Sequence, residues 1–217
     1  MVLSVRRETV QIGGLALPGE YSAVAEPLGV VVFVHGSGSS RLSPRNRFVA
    51  NVLHAHRLST LLFDLLTDAE AADRRNVFDI ALLTRRVREA LAWLHSRPDL
   101  RALPSGLFGA STGAAAALCA AADAPQQVRA VVSRGGRPDL AGAHLARVQS
   151  PTLLIVGGDD VEVLALNRHA MRQMTCPQRL EVVPGATHLF EEPGTLDAAA
   201  DLAARWFAER LSTVGAP

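Results

Sequence analysis

The chain has 217 residues, of which 48% are hydrophobic and 20% are charged, and its formal net charge is +1. These values are typical of a globular protein that buries a substantial core, and we expect one domain over residues 1–217. The small net charge gives no reason to expect nucleic acid or a membrane surface as a partner, and the absence of lysine excludes Schiff-base chemistry on the protein.

The predicted elements begin with two short strands, at 4–12 and 14–18, around a turn at residues 13 and 14. The first strand alternates apolar and polar residues, which is typical of a half-exposed hairpin at the edge of a sheet. Continuous apolar runs at 29–34 and 58–66 then predict strands that are buried on both faces, as in a parallel sheet covered by helices. A shorter strand begins at Gly106, and others are predicted at 128–133, 151–156 and 179–183.

Between these strands, apolar residues recur at helical spacing. One helix begins near Pro44, and a closing helix carries an apolar stripe from Leu196 to Trp206. The connection between residues 133 and 151 has room for one small helix. The alternation predicts a three-layer α/β/α fold, with a mostly parallel twisted sheet and an antiparallel N-terminal edge. Ligands of such sheets bind at the carboxyl ends of the strands, where the glycine-rich loops of this chain lie.

The sequence Gly109-x-Ser111-x-Gly113 matches a nucleophile elbow, in which a serine lies on a strained turn between a strand and a helix. The turn forces the serine backbone towards positive φ, so its neighbours must be small. The pattern is weak evidence alone, because a chain of this length would contain it by chance roughly one time in ten.

Two further strand-end loops supply the partners that a serine nucleophile needs. Serine requires a base that takes its proton, and the base requires an acid that orients it. The order expected of this architecture is serine, acid, histidine, and here Ser111 is followed by Asp159, Asp160 and then His188. Adjacent residues at a strand end point in different directions, so only one of the two aspartates can face His188.

A tetrahedral intermediate needs two backbone donors for its oxyanion. We expect the amide of Thr112, directly after the nucleophile, and an amide of the loop that follows the strand at 29–34, most plausibly that of Ser37. A phosphate-binding role for this loop is disfavoured, because it lacks both the dinucleotide fingerprint and the ending of a P-loop. His35, just before the loop, is interpreted as a structural group that supports it.

The remaining histidines and the cysteines are assigned no role in the site. The two cysteines lack the spacing of a metal site, so we interpret them as free thiols of a cytoplasmic protein, and we expect no metal or cofactor. The N-terminus does not have the order of a signal peptide, and no apolar run is long enough for a membrane span. The histidines on or beside predicted helices are interpreted as surface residues: His54, His56, His95, His144 and His169.

With these residues placed, the chain resembles the α/β-hydrolase superfamily over essentially its whole length. It is most similar to the dienelactone-hydrolase-like branch, on the motifs at 35–38, 109–113, 157–160 and 185–188. The resemblance favours Asp160 as the acid, three residues after Gly157, and leaves Asp159 as a solvated turn residue. Dienelactone hydrolases proper use a cysteine nucleophile, so Ser111 argues for ordinary ester hydrolysis. Similar domains occur beside or fused to phosphoribosyltransferase domains, and we expect no such domain here.

The resemblance also bears on the substrate. Many members of the superfamily insert a lid where this chain has only a short connection, so we expect an open site and small or short-chain esters. Arg134 or Arg137 could bind a substrate carboxylate, but the sequence favours solvated loop residues for both. The same two interpretations apply to the arginines after the glycine loop: Arg41, Arg45 and Arg47.

The sequence therefore predicts a serine esterase that hydrolyses a small-molecule ester through an acyl-enzyme. Ser111 is the predicted nucleophile, His188 the base and Asp160 the acid. A thioesterase or acyltransferase with the same triad is the first alternative. The second is a protein of this fold that binds a ligand or partner without turnover.

Overall fold

The computed structural model describes residues 4–212 and contains an eight-stranded mixed sheet with helices on both faces. The order of the strands across the sheet is β1-β2-β4-β3-β5-β6-β7-β8, and only the pairs β1–β2 and β2–β4 are antiparallel. This confirms the predicted fold class, including its antiparallel N-terminal edge. The strands are β1 (Arg6–Ile12), β2 (Leu17–Ala23), β3 (Gly29–Val34), β4 (Leu58–Phe63), β5 (Ser105–Ala110), β6 (Val128–Arg134), β7 (Thr152–Gly157) and β8 (Gln178–Val183).

Within residues 4–212, six α-helices connect or flank the strands. They are α1 (Pro44–Ala55), α2 (Asp68–Ala72), α3 (Ile80–Ser96), α4 (Thr112–Asp123), α5 (Val161–Met171) and α6 (Thr195–Leu211). None of the helices in this part of the chain is both long and apolar enough to cross a bilayer.

The core lies in two layers, one on each face of the sheet. Because successive side chains of a strand point to opposite faces, Val30 and Val32 of β3 pack in one layer and Val31 and Phe33 in the other. Helices α3 and α4 cover the first layer, and α1 and α6 cover the second. Every residue of β3, β4, β5 and β7 is consequently buried, as their continuous apolar sequences indicate.

The structure corrects the predicted boundaries near the N-terminus. The second strand begins at Leu17 rather than at Gly14, because residues 13–16 form the turn. Both Gly13 and Ala16 have positive φ there, and an alanine in that conformation could not be foreseen from its residue type. The strand predicted to reach residue 66 ends at Phe63. Helix α2 was not predicted, although Thr67 and Glu70 form a capping box at its N-terminus, which is a recognisable sequence signal for the start of a helix.

One histidine interpreted as a surface residue is buried. His54 is 5% exposed, and its Nε2 atom lies 2.8 Å from the hydroxyl of Thr60 on β4. Burial lowers the pKa of His54 to about 4, and the positive charge of Arg7 contributes. The cysteines are free thiols, as predicted. Both are buried, and burial raises the pKa of Cys119 to about 11.

The connection between β6 and β7 is short, as expected. It contains a 3-10 helical segment, Pro138–Arg147, that is kinked at Gly142 and packs against α4 through buried residues such as Leu145. Over the described residues, no further element is inserted at this point of the fold. The carboxyl end of the sheet is therefore left without a separate cap.

Candidate active site

Ser111 lies on the turn between β5 and α4, in the middle of the sheet. Its backbone has φ 50° and ψ −124°, a strained conformation that the elbow pattern predicts. The two glycines of the pattern are required by close packing. A Cβ at Gly109 would lie 2.4 Å from Cα of Ala114, and one at Gly113 would lie 2.1 Å from the carbonyl oxygen of Val34. The turn can therefore form only when both positions lack a side chain.

Asp160 and His188 come together from two neighbouring loops. Asp160 follows β7 and precedes α5, and His188 lies between β8 and α6. The Nδ1 atom of His188 is 2.7 Å from Oδ2 of Asp160. A carboxylate only accepts hydrogen bonds, so Nδ1 carries the proton and Nε2 presents its lone pair. The Asp159 side chain is exposed, whereas its amide donates to the carbonyl of Ala186 and so ties the two loops together.

Ser111 and His188 line the same cavity, which has a volume of about 560 Å³. The described residues contain no hydrogen bond between the Ser111 hydroxyl and the His188 ring, a contact that commonly tightens only when substrate is bound. The loop after β3 and the first turn of α1 also line this cavity. The lining is Gly36, Ser37, Gly38, Ser39, Ser40, Leu42, Ser43, Pro44, Arg45, Asn46, Ala110, Ser111, Arg134, Gly135, His188 and Leu189.

The two residues expected to supply oxyanion donors contact each other. The amide of Ser37 donates a hydrogen bond to the hydroxyl of Thr112, 3.0 Å away. Thr112 is the first residue of α4, so its own amide is one of the donors that a helix leaves without an intrahelical acceptor. The Thr112 side chain was missed from the sequence, where only its backbone was considered. Its signal was a hydroxyl residue directly after the nucleophile.

His35 supports the loop after β3 rather than facing the cavity with Ser111. Its Nε2 atom accepts a hydrogen bond from the amide of Leu65, so Nδ1 carries the proton and donates to the carbonyl of Gly36. Burial lowers the pKa of His35, which keeps the ring neutral at pH 7. This is the structural position that the sequence indicated.

The two arginines predicted as candidates for binding a substrate carboxylate have different surroundings in the structure. Arg134, the last residue of β6, is 6% exposed and lines the cavity. Arg137 lies outside the cavity lining, and its guanidinium binds the carboxylate of Asp139 at 2.8 and 2.9 Å. The sequence could not distinguish them, because both follow the strand predicted at 128–133 and lie three residues apart.

The arginines after the glycine loop each contact a carboxylate. Arg41 binds Asp64 through its backbone amide and its guanidinium. Arg45 lines the cavity and is 3.0 Å from Glu191. The guanidinium of Arg47 is 3.9 Å from the carboxylate of Glu20. Of these three, only Arg45 is in a position to contact a molecule in the cavity.

Comparison with known proteins identifies relatives of this chain. The model of the dienelactone hydrolase family matches residues 67–214. The crystal structure of a dienelactone hydrolase from Anabaena variabilis is 50% identical in sequence, with a TM-score of 0.92, over 97% of this chain and 99% of the other. A cold-adapted esterase from an Arctic intertidal metagenomic library has the same fold, with 18% identity and a TM-score of 0.76, over 98% of this chain and 96% of its own.

A curated relative is longer than this chain. The Mycobacterium tuberculosis (strain H37Rv) protein named "Putative phosphoribosyl transferase Rv0571c" is 56% identical over 213 residues, which are 97% of this chain and 48% of that protein. The chain thus spans about half the length of this relative.

Proposed function

Because the chain belongs to the dienelactone hydrolase family, we propose that it is a serine hydrolase of small carboxylic esters. The observation that carries the proposal is the pair of His188 and Asp160, 2.7 Å apart, of which His188 lines the same cavity as Ser111. The three side chains come from three separate strand ends, in the order expected of this fold.

The first step is attack by Ser111 on the ester carbonyl. Oγ of Ser111 forms a bond to the carbonyl carbon while Nε2 of His188 accepts the hydroxyl proton. Asp160 holds the proton on Nδ1, which fixes the ring and stabilises the imidazolium that forms. The tetrahedral intermediate then expels the alcohol, which takes its proton from His188, and leaves an acyl-serine.

The second half of the reaction uses water in place of the alcohol. His188 takes a proton from the water as it attacks the acyl-serine, and returns that proton to Oγ of Ser111 as the carboxylic acid leaves. In both halves the amide of Thr112 donates to the developing oxyanion. The single proton of the Ser37 amide goes to the Thr112 hydroxyl, so Ser37 acts through that hydroxyl, which can still donate its own proton to the oxyanion.

The substrate is proposed to be small. The cavity of about 560 Å³ is bounded by short loops, and the connection after β6 provides no apolar cover for a long acyl chain. Leu42 and Leu189 are the large apolar side chains at its wall, 51% and 40% exposed, and they suit a short acyl or aryl group. The similarity to a dienelactone hydrolase and to an esterase, as those proteins are named, supports an ester as the bond cleaved.

We do not propose phosphoribosyl transfer, the activity in the name of the longer relative, for this chain. That name applies to a protein of which the matched portion is 48%, and a Ser-His-Asp arrangement supports acyl chemistry. A thioester substrate or a different acyl acceptor would use the same acyl-serine, so the proposal is tested first at that common step.

The test is hydrolysis of p-nitrophenyl acetate by the purified chain and by the Ser111→Ala variant. We expect turnover in the first and none above background in the second, together with labelling of Ser111 by a fluorophosphonate probe. A protein that neither hydrolyses the ester nor reacts with the probe is a binding protein of this fold, and the proposal is then wrong. Thioester and alcohol acceptors, supplied in the same assay, distinguish hydrolase from acyltransferase.

A further inference from the structure

Arg134 lies directly beside the nucleophile. It ends β6, the strand that pairs with β5, and its carbonyl accepts a hydrogen bond from the amide of Ser111 at 3.4 Å. Its side chain is 6% exposed, and it lines the cavity together with Ser111 and His188. A fixed position next to the reacting atoms is therefore occupied by a guanidinium.

The charge of Arg134 has no partner among residues 4–212. No carboxylate of that range lies within 4.0 Å of its guanidinium, and its Nε atom is buried without a hydrogen bond. The neighbouring arginines differ, since Arg41, Arg45 and Arg137 each contact a carboxylate. The one favourable contact is with the ring of Phe190, whose centroid is 5.5 Å from Cζ.

This arrangement is costly for the folded protein alone. Removing a charge from water without an anionic partner opposes folding, and a cation–π contact offsets only part of that cost. Burial, with a contribution from Arg45, lowers the pKa of Arg134 to about 10, so the side chain is still charged at pH 7. A buried cation without an anionic partner among the described residues indicates that the partner is a molecule that binds in the cavity.

The wall formed by the loop after β3 and the start of α1 also favours negative charge. Helix α1 has 12 residues, and its N-terminus, capped by Ser43, faces the cavity with the positive end of its dipole. The hydroxyls of Ser39 and Ser40 on the same wall are hydrogen-bond donors. The nearby carboxylates are engaged elsewhere, because Asp160 binds His188 and Glu191 binds Arg45.

We propose that the substrate is an ester that carries an anionic group, a carboxylate or a phosphate, and that Arg134 binds this group beside the scissile bond. This inference rests on the proposed esterase function and specifies its substrate class. Arg134 acts in binding, since its planar fork matches two oxygens of either anion. Arg137, the other candidate from the sequence, is assigned to the surface pair with Asp139.

The test compares esters that differ only in charge. On the alcohol side, 4-acetoxybenzoate is paired with the neutral 4-acetoxybenzamide; on the acyl side, monomethyl glutarate is paired with methyl valerate. Arg134→Met removes the charge at similar length, Arg134→Lys retains it, and Arg137→Met is the control. In at least one pair, we expect Arg134→Met to lower kcat/KM for the anionic ester roughly 10- to 100-fold, mainly through KM. The neutral ester should change less than about threefold, and the control should change neither.

Inorganic phosphate and glutarate are the probes for a phosphate and for a carboxylate, respectively. The anion that matches the substrate should inhibit competitively, and it should raise the Tm of the wild-type chain but not that of Arg134→Met. The Tm of Arg134→Met without ligand should be equal to or above that of the wild type, because the variant removes an unpaired buried charge. If that variant does not fold, Arg134→Lys replaces it and must retain a preference for the anionic ester.

Three results would overturn the proposal. The first is an equal loss of turnover for charged and neutral esters, which would place Arg134 in the chemical step. The second is no preference for the anionic ester in either pair. The third is no stabilisation by either anion. Failure of the proposed esterase function is recognised separately, as no turnover of any ester, and the Tm measurements then still decide whether Arg134 binds an anion.

Discussion

The amide of Ser37 and the hydroxyl of Thr112 are 3.0 Å apart and join the loop after β3 to the first turn of α4. The two residues are separated by 75 positions in the chain, yet both are proposed to act on the same oxyanion. The hydroxyl can accept from the Ser37 amide and still donate its own proton. The contact therefore orients the Thr112 hydroxyl as a donor beside the Thr112 amide.

Replacing Thr112 tests whether this contact matters for catalysis. Thr112→Val keeps the side-chain volume but loses the hydroxyl that the Ser37 amide orients, and with it a donor to the oxyanion, so kcat should fall about 10-fold or more. Thr112→Ser retains the hydroxyl and should stay within about threefold of the wild type. The measurement is steady-state hydrolysis of p-nitrophenyl acetate, with the Tm as a check on folding. Equal activity of the two variants would show that the hydroxyl has no part in the reaction.

The acid of the proposed triad is tested by exchanging each aspartate for asparagine. Asp160→Asn should lower kcat by about 10³- to 10⁴-fold, because an amide can hold the wrong tautomer of His188. Asp159→Asn is the matched control, and since its side chain is exposed we expect less than a twofold change. A larger loss in the control would mean that the acid has been assigned to the wrong residue.

The buried His54 predicts a pH dependence of stability. In the folded chain its pKa is about 4, below the ordinary value of 6.5, so the unfolded chain binds the proton more readily. Stability is therefore lost as the pH falls from 6.5 towards 4, by up to about 3 kcal/mol from this residue. Urea unfolding at pH 7 and pH 4.5 should show a smaller loss for His54→Gln than for the wild type. The exposed His56→Gln is the control and should lose as much as the wild type.

The packing of the elbow predicts the effect of a single methyl group. Gly113→Ala would place Cβ 2.1 Å from the backbone oxygen of Val34, so either the turn or β3 must move. We expect a loss of several kcal/mol in the free energy of unfolding and of most activity. Gly14→Ala is the matched control, because no atom lies within 4 Å of its added Cβ. If both variants unfold at the same urea concentration as the wild type, the elbow is less tightly packed than its distances indicate.

The sequence predicted the features that depend on local constraints. The strand at 29–34 was located to the residue, because an unbroken apolar run bounded by glycines can only be buried on both faces. The turn at Ser111 was predicted because its tight packing requires residues without side chains, and the sequence has glycine at both of those positions, 109 and 113. Features set by distant residues were not predictable: the burial of His54 depends on Thr60 and β4, and the isolation of Arg134 depends on where the carboxylates lie.

The position of His188 has a consequence for how the protein would lose activity. His188 follows β8, which pairs with β7 alone and has only Val183 fully buried, whereas Ser111 follows β5 in the middle of the sheet. Edge elements open at a smaller free energy than the core. Partial detachment of β8 would remove the base while the nucleophile stayed in place. Turnover should then disappear at a lower urea concentration than the fluorescence change of the core, and it should return as soon as the denaturant is diluted.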